Sequence, residues 1–150
     1  MSTIGKRTIY VGPADDANHK PLNVEGVALA AVLPGIVMLQ TPTGLAVNSN
    51  AATVFGDQLL VADKDQQRTR SVDDAWTVNE NMVTIAPRSG EFVNVIVVGG
   101  NDILRQGTAL SRDGAGRLQI AATDGSEEIV AYADEIINVT ADALVRCRIA

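Results

Sequence analysis

Aromatic residues are scarce in this chain of 150 residues: they make up 3% of it, although 46% of it is hydrophobic. A core with so few rings must be built from Val, Ile, Leu and Ala. Small and β-branched side chains of this kind suit sheets that pack closely against each other. At this length one domain is expected, and it is large enough to bury a core without disulfides or metal ions.

Cysteine and histidine each occur once. The single Cys147 excludes an intrachain disulfide. A Ser-His-Asp or Cys-His nucleophile system would have to use His19, which lies in a polar N-terminal stretch beside Lys20. Carboxylates occur in pairs, but none has the spacing of an EF-hand loop. We therefore expect no enzymatic activity, no cofactor and no metal site.

An excess of basic charge is also lacking. The net charge of −6 argues against an extended nucleic-acid surface, which needs clustered Lys and Arg to neutralise phosphates. The N-terminus has no apolar signal-peptide core, and the longest apolar run, Val27–Leu39, is too short to span a bilayer and is interrupted by Pro34-Gly35. The sequence predicts a protein made in the cytoplasm, with neither nucleic acid nor a membrane as a partner.

What the chain does contain is short apolar runs separated by turn residues. In Glu91–Gly125 a Val-rich run ends at Gly99-Gly100, and Asp-Gly pairs separate the short runs that follow. Such spacing is typical of antiparallel strands. Ala143–Ala150 alternates apolar and polar residues, which predicts a half-buried strand with Cys147 on its buried face. We predict an all-β fold: a compact antiparallel β-barrel or sandwich of short strands over residues 21–150.

Two further segments lie outside this strand-and-turn pattern. In Ser126–Ile137 the apolar residues fall at helical spacing, with Ser126 as a possible N-cap, but β-branched pairs such as Ile136-Ile137 favour a strand. We predict a strand there. Asp63–Asp74 is the most polar segment, and we predict that it is a solvated loop or hairpin tip.

Residues 1–20 are predicted to form an extended N-terminal arm. This arm is polar and interrupted by Gly and Pro, with Ile9-Tyr10-Val11 as its one strand-like patch. It is either a frayed terminus or a docking segment that becomes ordered by adding to the sheet edge of a neighbour. In the second case its removal should leave the remaining body folded. The candidate contact residues in the arm are Lys6, Arg7, Ile9, Tyr10 and Val11.

The segment Gly26–Gly56 contains no charged residue. A stretch without charge is usually core, but its loops would normally carry charges for solubility. Their absence indicates a contact surface, either between subunits or with another protein. The candidate contact residues here are Thr43, Leu45 and Phe55.

Three short sequence motifs resemble motifs that occur in the same order in trimeric dUTPases, which are all-β enzymes of about this length. The motifs are Leu33-Pro34-Gly35, Pro42-Thr43-Gly44-Leu45-Ala46 and Pro87-Arg88-Ser89-Gly90. In that family the Arg-Ser-Gly motif helps to bind phosphate. The chain departs from the family after Asp102, where the required Tyr is missing, and it lacks the Gly/Phe-rich C-terminal motif. The resemblance therefore does not extend to the catalytic residues.

From Glu25 onward the chain resembles the small head decoration (capsid cement) proteins of tailed bacteriophages. The resemblance is carried by Gly26-Val27-Ala28 before Pro34-Gly35, Gly90-Glu91 before a Val-rich strand, Gly107-Thr108-Ala109-Leu110, Gly114-Ala115-Gly116-Arg117-Leu118, Ala131-Tyr132-Ala133 and the terminal Val145–Ile149.

The resemblance implies a non-enzymatic virion protein that sits on the outer capsid surface as a homo-dimer or homo-trimer. It would stabilise the shell by bridging subunits of the major capsid protein. A dUTPase-like enzyme and a β-barrel module that binds carbohydrate or another virion surface are the alternatives.

Overall fold

The structure is a computed structural model that describes residues 6–12 and 21–150. In these residues the chain forms thirteen strands and no helix, so the predicted all-β fold is confirmed. The strands in chain order are β1 (Tyr10–Gly12), β2 (Leu22–Val27), β3 (Val37–Thr41), β4 (Gly44–Val47), β5 (Leu60–Ala62), β6 (Asn81–Ala86), β7 (Phe92–Val97), β8 (Asn101–Ile103), β9 (Ala109–Arg112), β10 (Leu118–Ile120), β11 (Ala131–Ala133), β12 (Ile137–Val139) and β13 (Ala143–Ile149).

Five strands from the first half of the chain make the first barrel, in the order β2-β6-β5-β3-β4. All its neighbouring strands are antiparallel. A parallel bridge between Ala28 and Leu45 joins the two outer edges, and the amide of Leu29 donates to the Leu45 carbonyl at 3.0 Å. Met38, Leu45, Trp76 and Met82 are among the residues that fill this barrel. Closure matters because it removes most of the exposed edge that an open sheet would present.

The second barrel follows the order β7-β10-β9-β11-β13, and β13 pairs with β7 to complete the ring. Neighbouring strands are antiparallel except for β7 and β10, which are parallel at Val97 and Leu118. Its hydrophobic core is made of Val, Ile, Leu and Ala residues and Cys147, together with Ile9 from the N-terminal segment. The scarcity of aromatic residues therefore corresponds to an aliphatic core, as the composition predicted.

Strands β8 and β12 form a separate antiparallel pair, in which Ile137 is opposite Ile103 and Val139 is opposite Asn101. The same register continues beyond the strands, because the amide of Gly107 donates to the carbonyl of Ala133 at 2.7 Å. We call these two segments, residues 101–107 and 133–139, the ribbon. Ile103 and Val139 are buried, so one face of the ribbon packs against the protein.

The two barrels meet where two glycines allow close packing. Ile36 packs against both cores, and the amide of Val37 donates to the Gly116 carbonyl at 2.7 Å. Gly116 has a φ of 80°, and a Cβ there would lie 2.6 Å from Val47 Cγ1 and 2.8 Å from Ile36 Cγ2. A Cβ at Gly35, where φ is 93°, would lie 2.4 Å from Leu144 Cδ2. Both positions therefore require glycine for steric reasons as well as for their backbone conformation.

The predictions for the last quarter of the chain are confirmed. Ser126–Ile137 contains no helix; Ala131–Ala133 is β11, and Ile137 begins β12. Along β13 the side chains of Val145 and Cys147 are buried. Burial raises the pKa of the Cys147 thiol well above its usual range, so this thiol is held in its neutral form.

The prediction of a solvated loop at Asp63–Asp74 holds for most of the segment, which forms no strand and exposes residues such as Gln66, Arg68 and Asp73. Three of its residues are nevertheless not solvated. Asp63, Asp65 and Val72 are buried, and the Trp76 indole N–H donates to the Asp63 carbonyl at 2.7 Å. The loop folds back onto the first barrel because its carboxylates find donors within the loop itself, including the Arg68 amide at Asp65. Composition alone indicated exposure because these partners become available only once the loop has folded.

The N-terminal segment also differs from the prediction. β1 pairs with β7 of the same chain, Tyr10 opposite Val93, and Ile9 is fully buried in the second barrel's core. The strand-like patch therefore adds to its own sheet, and no neighbouring subunit is needed to order it. The parts of the predicted arm at 2–5 and 13–20, including His19 and Lys20, lie outside the described residues.

Candidate functional site

A buried arginine fixes the loop that follows β4. Arg112, at the end of β9, is only 3% exposed. Its Nη1 lies 2.6 Å from Asp57 Oδ2, and its Nη2 lies 2.9 Å from Glu128 Oε2. Nη2 also donates to the Val54 carbonyl. Because one guanidinium binds two carboxylates and a backbone carbonyl, the loop is tied to the second barrel.

Further hydrogen bonds hold the same loop from both sides. The Asn50 side-chain amide donates to the Asp57 carboxylate, and the amide of Gly56 donates to Glu128 Oε1 at 2.9 Å. The amide of Glu128 in turn donates to the Ala52 carbonyl at 2.8 Å. Hydrogen bonds from Asn50, and then from Arg112, lower the pKa of Asp57, so this carboxylate is ionised at neutral pH.

The residues that this network holds in place include exposed apolar side chains. We call residues 51–56 the latched loop. Phe55 within it is 63% exposed, and Val54 beside it is also exposed. The loop closes the charge-free stretch Gly26–Gly56. An exposed aromatic side chain held on a fixed loop has the character of an interface anchor.

A second apolar surface lies at the rim of the first barrel. Val27 and Leu29 are exposed on either side of buried Ala28, so both point away from the core. The tight β3–β4 turn packs beside them: a Cβ at Gly44 would lie 2.4 Å from the Val27 carbonyl oxygen and 3.1 Å from Leu29 Cδ2. Thr43, in this turn, is exposed. Val27, Leu29 and Thr43, which we call the rim patch, thus belong to the same charge-free stretch as the latched loop.

The candidate contact residues divide into surface and core positions. Phe55, Thr43 and Val11 are exposed, and Tyr10 is half-buried. Leu45 and Ile9 are buried in the two cores, so their selection as contact residues is wrong. Both were selected because they lie in apolar runs, and local sequence does not show which side of a barrel wall a residue faces.

The two basic candidates of the N-terminal segment interact within the chain. Lys6 Nζ lies 2.7 Å from Glu135 Oε2, and the carbonyl of Arg7 accepts a hydrogen bond from Lys64 Nζ at 2.9 Å. The side chain of Arg7 remains exposed. The basic segment thus contacts an acidic part of its own chain through Lys6.

The short motifs shared with dUTPases lie in turns. Pro34-Gly35 lies at the junction of the barrels, and Pro42-Thr43 forms the β3–β4 turn. Arg88 and Gly90 precede β7, where Arg88 Nε lies 3.8 Å from Glu91 Oε1. Each of these motifs therefore lies at a turn or junction of the backbone.

A polar cavity of about 290 Å³ opens beside the first barrel, lined in part by Glu25, Asp63, Asp65 and Trp76. Burial raises the pKa of Asp63, and Asp65 Oδ2 lies 3.6 Å from Arg68 Nε. Within residues 6–12 and 21–150 no group of three or more His, Cys, Asp or Glu side chains could hold a metal ion. The same part of the chain has no helix long and apolar enough to cross a membrane.

No protein-family model matches the chain, and no curated protein is significantly similar to it. The geometry of the latched loop was not foreseen from the sequence. Arg112 directly precedes the turn residues Asp113-Gly114, and its partner Asp57 lies 55 residues away. No local pattern connects two positions at that separation.

Proposed function

We propose that this protein is a non-enzymatic virion structural protein that binds the outside of a phage capsid. It stabilises the shell by bridging subunits of the major capsid protein. Two things support the proposal: the sequence resemblance to head decoration proteins from Glu25 onward, and the confirmed all-β fold. The observation that carries it is the exposed Phe55, held on a loop that the buried Arg112 fixes.

The latched loop suits a structural contact for an energetic reason. Binding costs free energy when loops and side chains must become ordered, and a loop that is already fixed avoids most of that cost. Phe55 offers a large apolar surface, and the carboxylates that hold its loop, Asp57 and Glu128, are already paired with Arg112, which lowers the cost of desolvating them on docking. We assign the contact with the coat protein to the latched loop and the rim patch.

The first experiment is co-sedimentation of the purified protein with expanded, undecorated heads. The protein should pellet with the heads and remain in the supernatant without them. Replacing Phe55 with Ala should weaken binding by about 30-fold, the effect expected of an interface anchor. Leu22→Ala is the matched control, because Leu22 is 60% exposed but lies outside the charge-free stretch. A wild-type chain that does not pellet with heads would refute the proposal, and equal binding by both variants would refute the assigned surface.

A charge test addresses the same surface without removing an aromatic ring. Thr53 is exposed in the latched loop and Gln66 is exposed elsewhere. Thr53→Asp should weaken binding to heads because it places a charge where the partner must exclude water, whereas Gln66→Asp should leave binding unchanged. If the two substitutions weakened binding equally, general repulsion by the acidic chain would explain the loss and the loop assignment would fail.

A further inference from the structure

Two carboxylates lie in one row across the outer face of the first barrel. The amide of Asp63 donates to the Val83 carbonyl at 3.0 Å, and Val83 is directly opposite Glu25 in the β2–β6 pair. Opposed residues on neighbouring strands project to the same face of a sheet, and all three line the polar cavity of about 290 Å³. Adjacent strands are about 4.8 Å apart, so the backbones of Glu25 and Asp63 are separated by roughly 10 Å, with Val83 between them.

This cavity contains carboxylate oxygens that lack a hydrogen-bond donor. Asp65, which also lines it, is 6% exposed, and its Oδ2 makes no hydrogen bond. Two guanidinium nitrogens, Arg68 Nε at 3.6 Å and Arg70 Nε at 4.0 Å, are too far from Oδ2 to donate to it. Glu25 makes no hydrogen bond or ion pair with residues 6–12 or 21–150. Because a buried carboxylate oxygen without a donor is costly, a ligand that donates there gains free energy.

The two cationic side chains that line the same cavity are engaged outside it. Lys64 Nζ donates to the Arg7 carbonyl at 2.9 Å, and Arg68 Nη1 lies 2.6 Å from Glu80 Oε1. The charges of the lining that remain without a close partner are therefore negative. Burial also raises the pKa of Asp63, because its carboxylate has lost hydration, and a bound cation would compensate this charge.

We propose that this cavity binds a short aliphatic diamine. One ammonium group contacts Glu25, the other contacts Asp63 and Asp65, and the methylene chain between them crosses Val83. The apolar parts of Val83 and Trp76 belong to the cavity wall, so they offer a surface on which the methylene groups lose contact with water. The volume of the cavity is close to the lower limit for small-molecule sites, which suits a ligand of a few heavy atoms.

The carboxylates favour ammonium groups over a guanidinium group. Oδ1 of Asp63 accepts from the Lys64 amide at 2.8 Å, and Oδ1 of Asp65 accepts from the Arg68 amide at 3.2 Å. Oδ2 of Asp63 has only a long hydrogen bond of 3.3 Å, from Gln66 Nε2. Each carboxylate thus offers mainly one oxygen, which suits the separate donors of an ammonium group better than the planar fork of a guanidinium.

The same arrangement disfavours a single metal ion. In residues 6–12 and 21–150 no three His, Cys, Asp or Glu side chains could hold one together. A ligand with a charge at each end can instead reach carboxylates whose backbones are roughly 10 Å apart. This inference rests on the cavity alone and is independent of the capsid partner and of the latched loop.

The experiment is isothermal titration calorimetry of the full chain with 1,4-diaminobutane at low ionic strength. The wild type should bind one molecule per chain. Butylamine, which has the same stem but a single ammonium group, should bind at least tenfold more weakly because it leaves one end of the site without a donor. In NMR spectra the diamine should shift the backbone amide signals of Glu25, Val83 and Asp65.

Charge-removing variants test the assigned contacts. Glu25→Gln and Asp65→Asn should each weaken diamine binding by about tenfold, because each removes a charged acceptor. Asp102→Asn is the matched control: it removes the same charge from an exposed side chain on the ribbon and should leave binding unchanged. Thermal melting of each variant checks the fold, and Glu25→Gln alters an exposed residue, so it remains a valid test if Asp65→Asn unfolds.

Four results would each overturn the proposal. They are a wild type that does not bind the diamine, butylamine that binds as tightly as the diamine, a folded Glu25→Gln variant that binds like the wild type, and an equal loss of binding in Asp102→Asn. Displacement of the diamine by an equal concentration of Mg²⁺ would also overturn it, because the cavity would then attract any cation.

Discussion

Replacing Arg112 with Met should release the latched loop while leaving both barrels folded. The substitution keeps a long apolar side chain but removes the guanidinium that binds Asp57, Glu128 and the Val54 carbonyl. Removing one partner of a buried ion pair typically costs about 3–5 kcal/mol, because the other charge loses its compensation. Here the carboxylates of Asp57 and Glu128 are 24% and 20% exposed, so water can partly replace the lost donor. We therefore expect a loss of about 2–3 kcal/mol in the free energy of unfolding.

Two measurements check this expectation. Urea unfolding should give the lower free energy, and the melting temperature should fall by about 4–12 °C for a chain of this size. Hydrogen exchange should show faster exchange at the amides of Gly56 and Glu128, whose hydrogen bonds belong to the latched loop. Arg105→Met is the control, because Arg105 is exposed and makes no ion pair with residues 6–12 or 21–150.

The pH dependence gives an independent check of the same network. The folded-state pKa of Asp57 is lowered from 3.8, so its contribution to stability is present above that value and is lost as the pH falls through the folded pKa. The stability deficit of Arg112→Met should therefore shrink below about pH 4. If the variant unfolds within about 0.5 kcal/mol of the wild type, with loop exchange unchanged, Arg112 does not fix the loop and the argument for Phe55 fails.

Three further predictions concern the fold. Gly116→Ala should lose about 2–4 kcal/mol in urea unfolding, because the new methyl group would clash with Val47 at a backbone φ of 80°. A loss below about 1 kcal/mol, the cost of backbone strain alone, would mean that the barrel junction adjusts freely. Ile9→Ala should lose about 2–4 kcal/mol, because Ile9 is fully buried, and an unchanged melting temperature would show that residues 6–12 are not part of the core. The pKa of Glu80 is lowered from 4.5 to about 2, first by hydrogen bonds from Arg70, so its stabilising effect is present above pH 4.5 and is lost as the pH falls towards 2. Glu80→Gln should therefore flatten the stability profile over that interval, and a profile identical to the wild type would contradict the pairing.

The sequence by itself determined the type of structure because strand and turn signals are local. The alternation along Ala143–Ala150 predicted a half-buried strand, and β13 spans Ala143–Ile149 with Cys147 buried. Gly100 and Gly114 take positive φ values at turns that their composition had indicated. The choice of strand over helix in Ser126–Ile137 also depended on neighbouring β-branched residues, and no helix forms there.

Tertiary structure decided which residues face the core and which face the solvent. β1 and β7 pair at Tyr10 and Val93, and that pairing buries Ile9, although the surrounding sequence is polar enough to indicate a free arm. Closure of the first barrel through Ala28 and Leu45 buries Leu45 as well. Arg112 reaches Asp57 only after both barrels have formed, and the same contact fixes the loop that exposes Phe55. These outcomes depend on pairings between residues far apart in the chain, whose partners are chosen by packing and hydrogen-bond satisfaction of the whole fold and not by any local pattern.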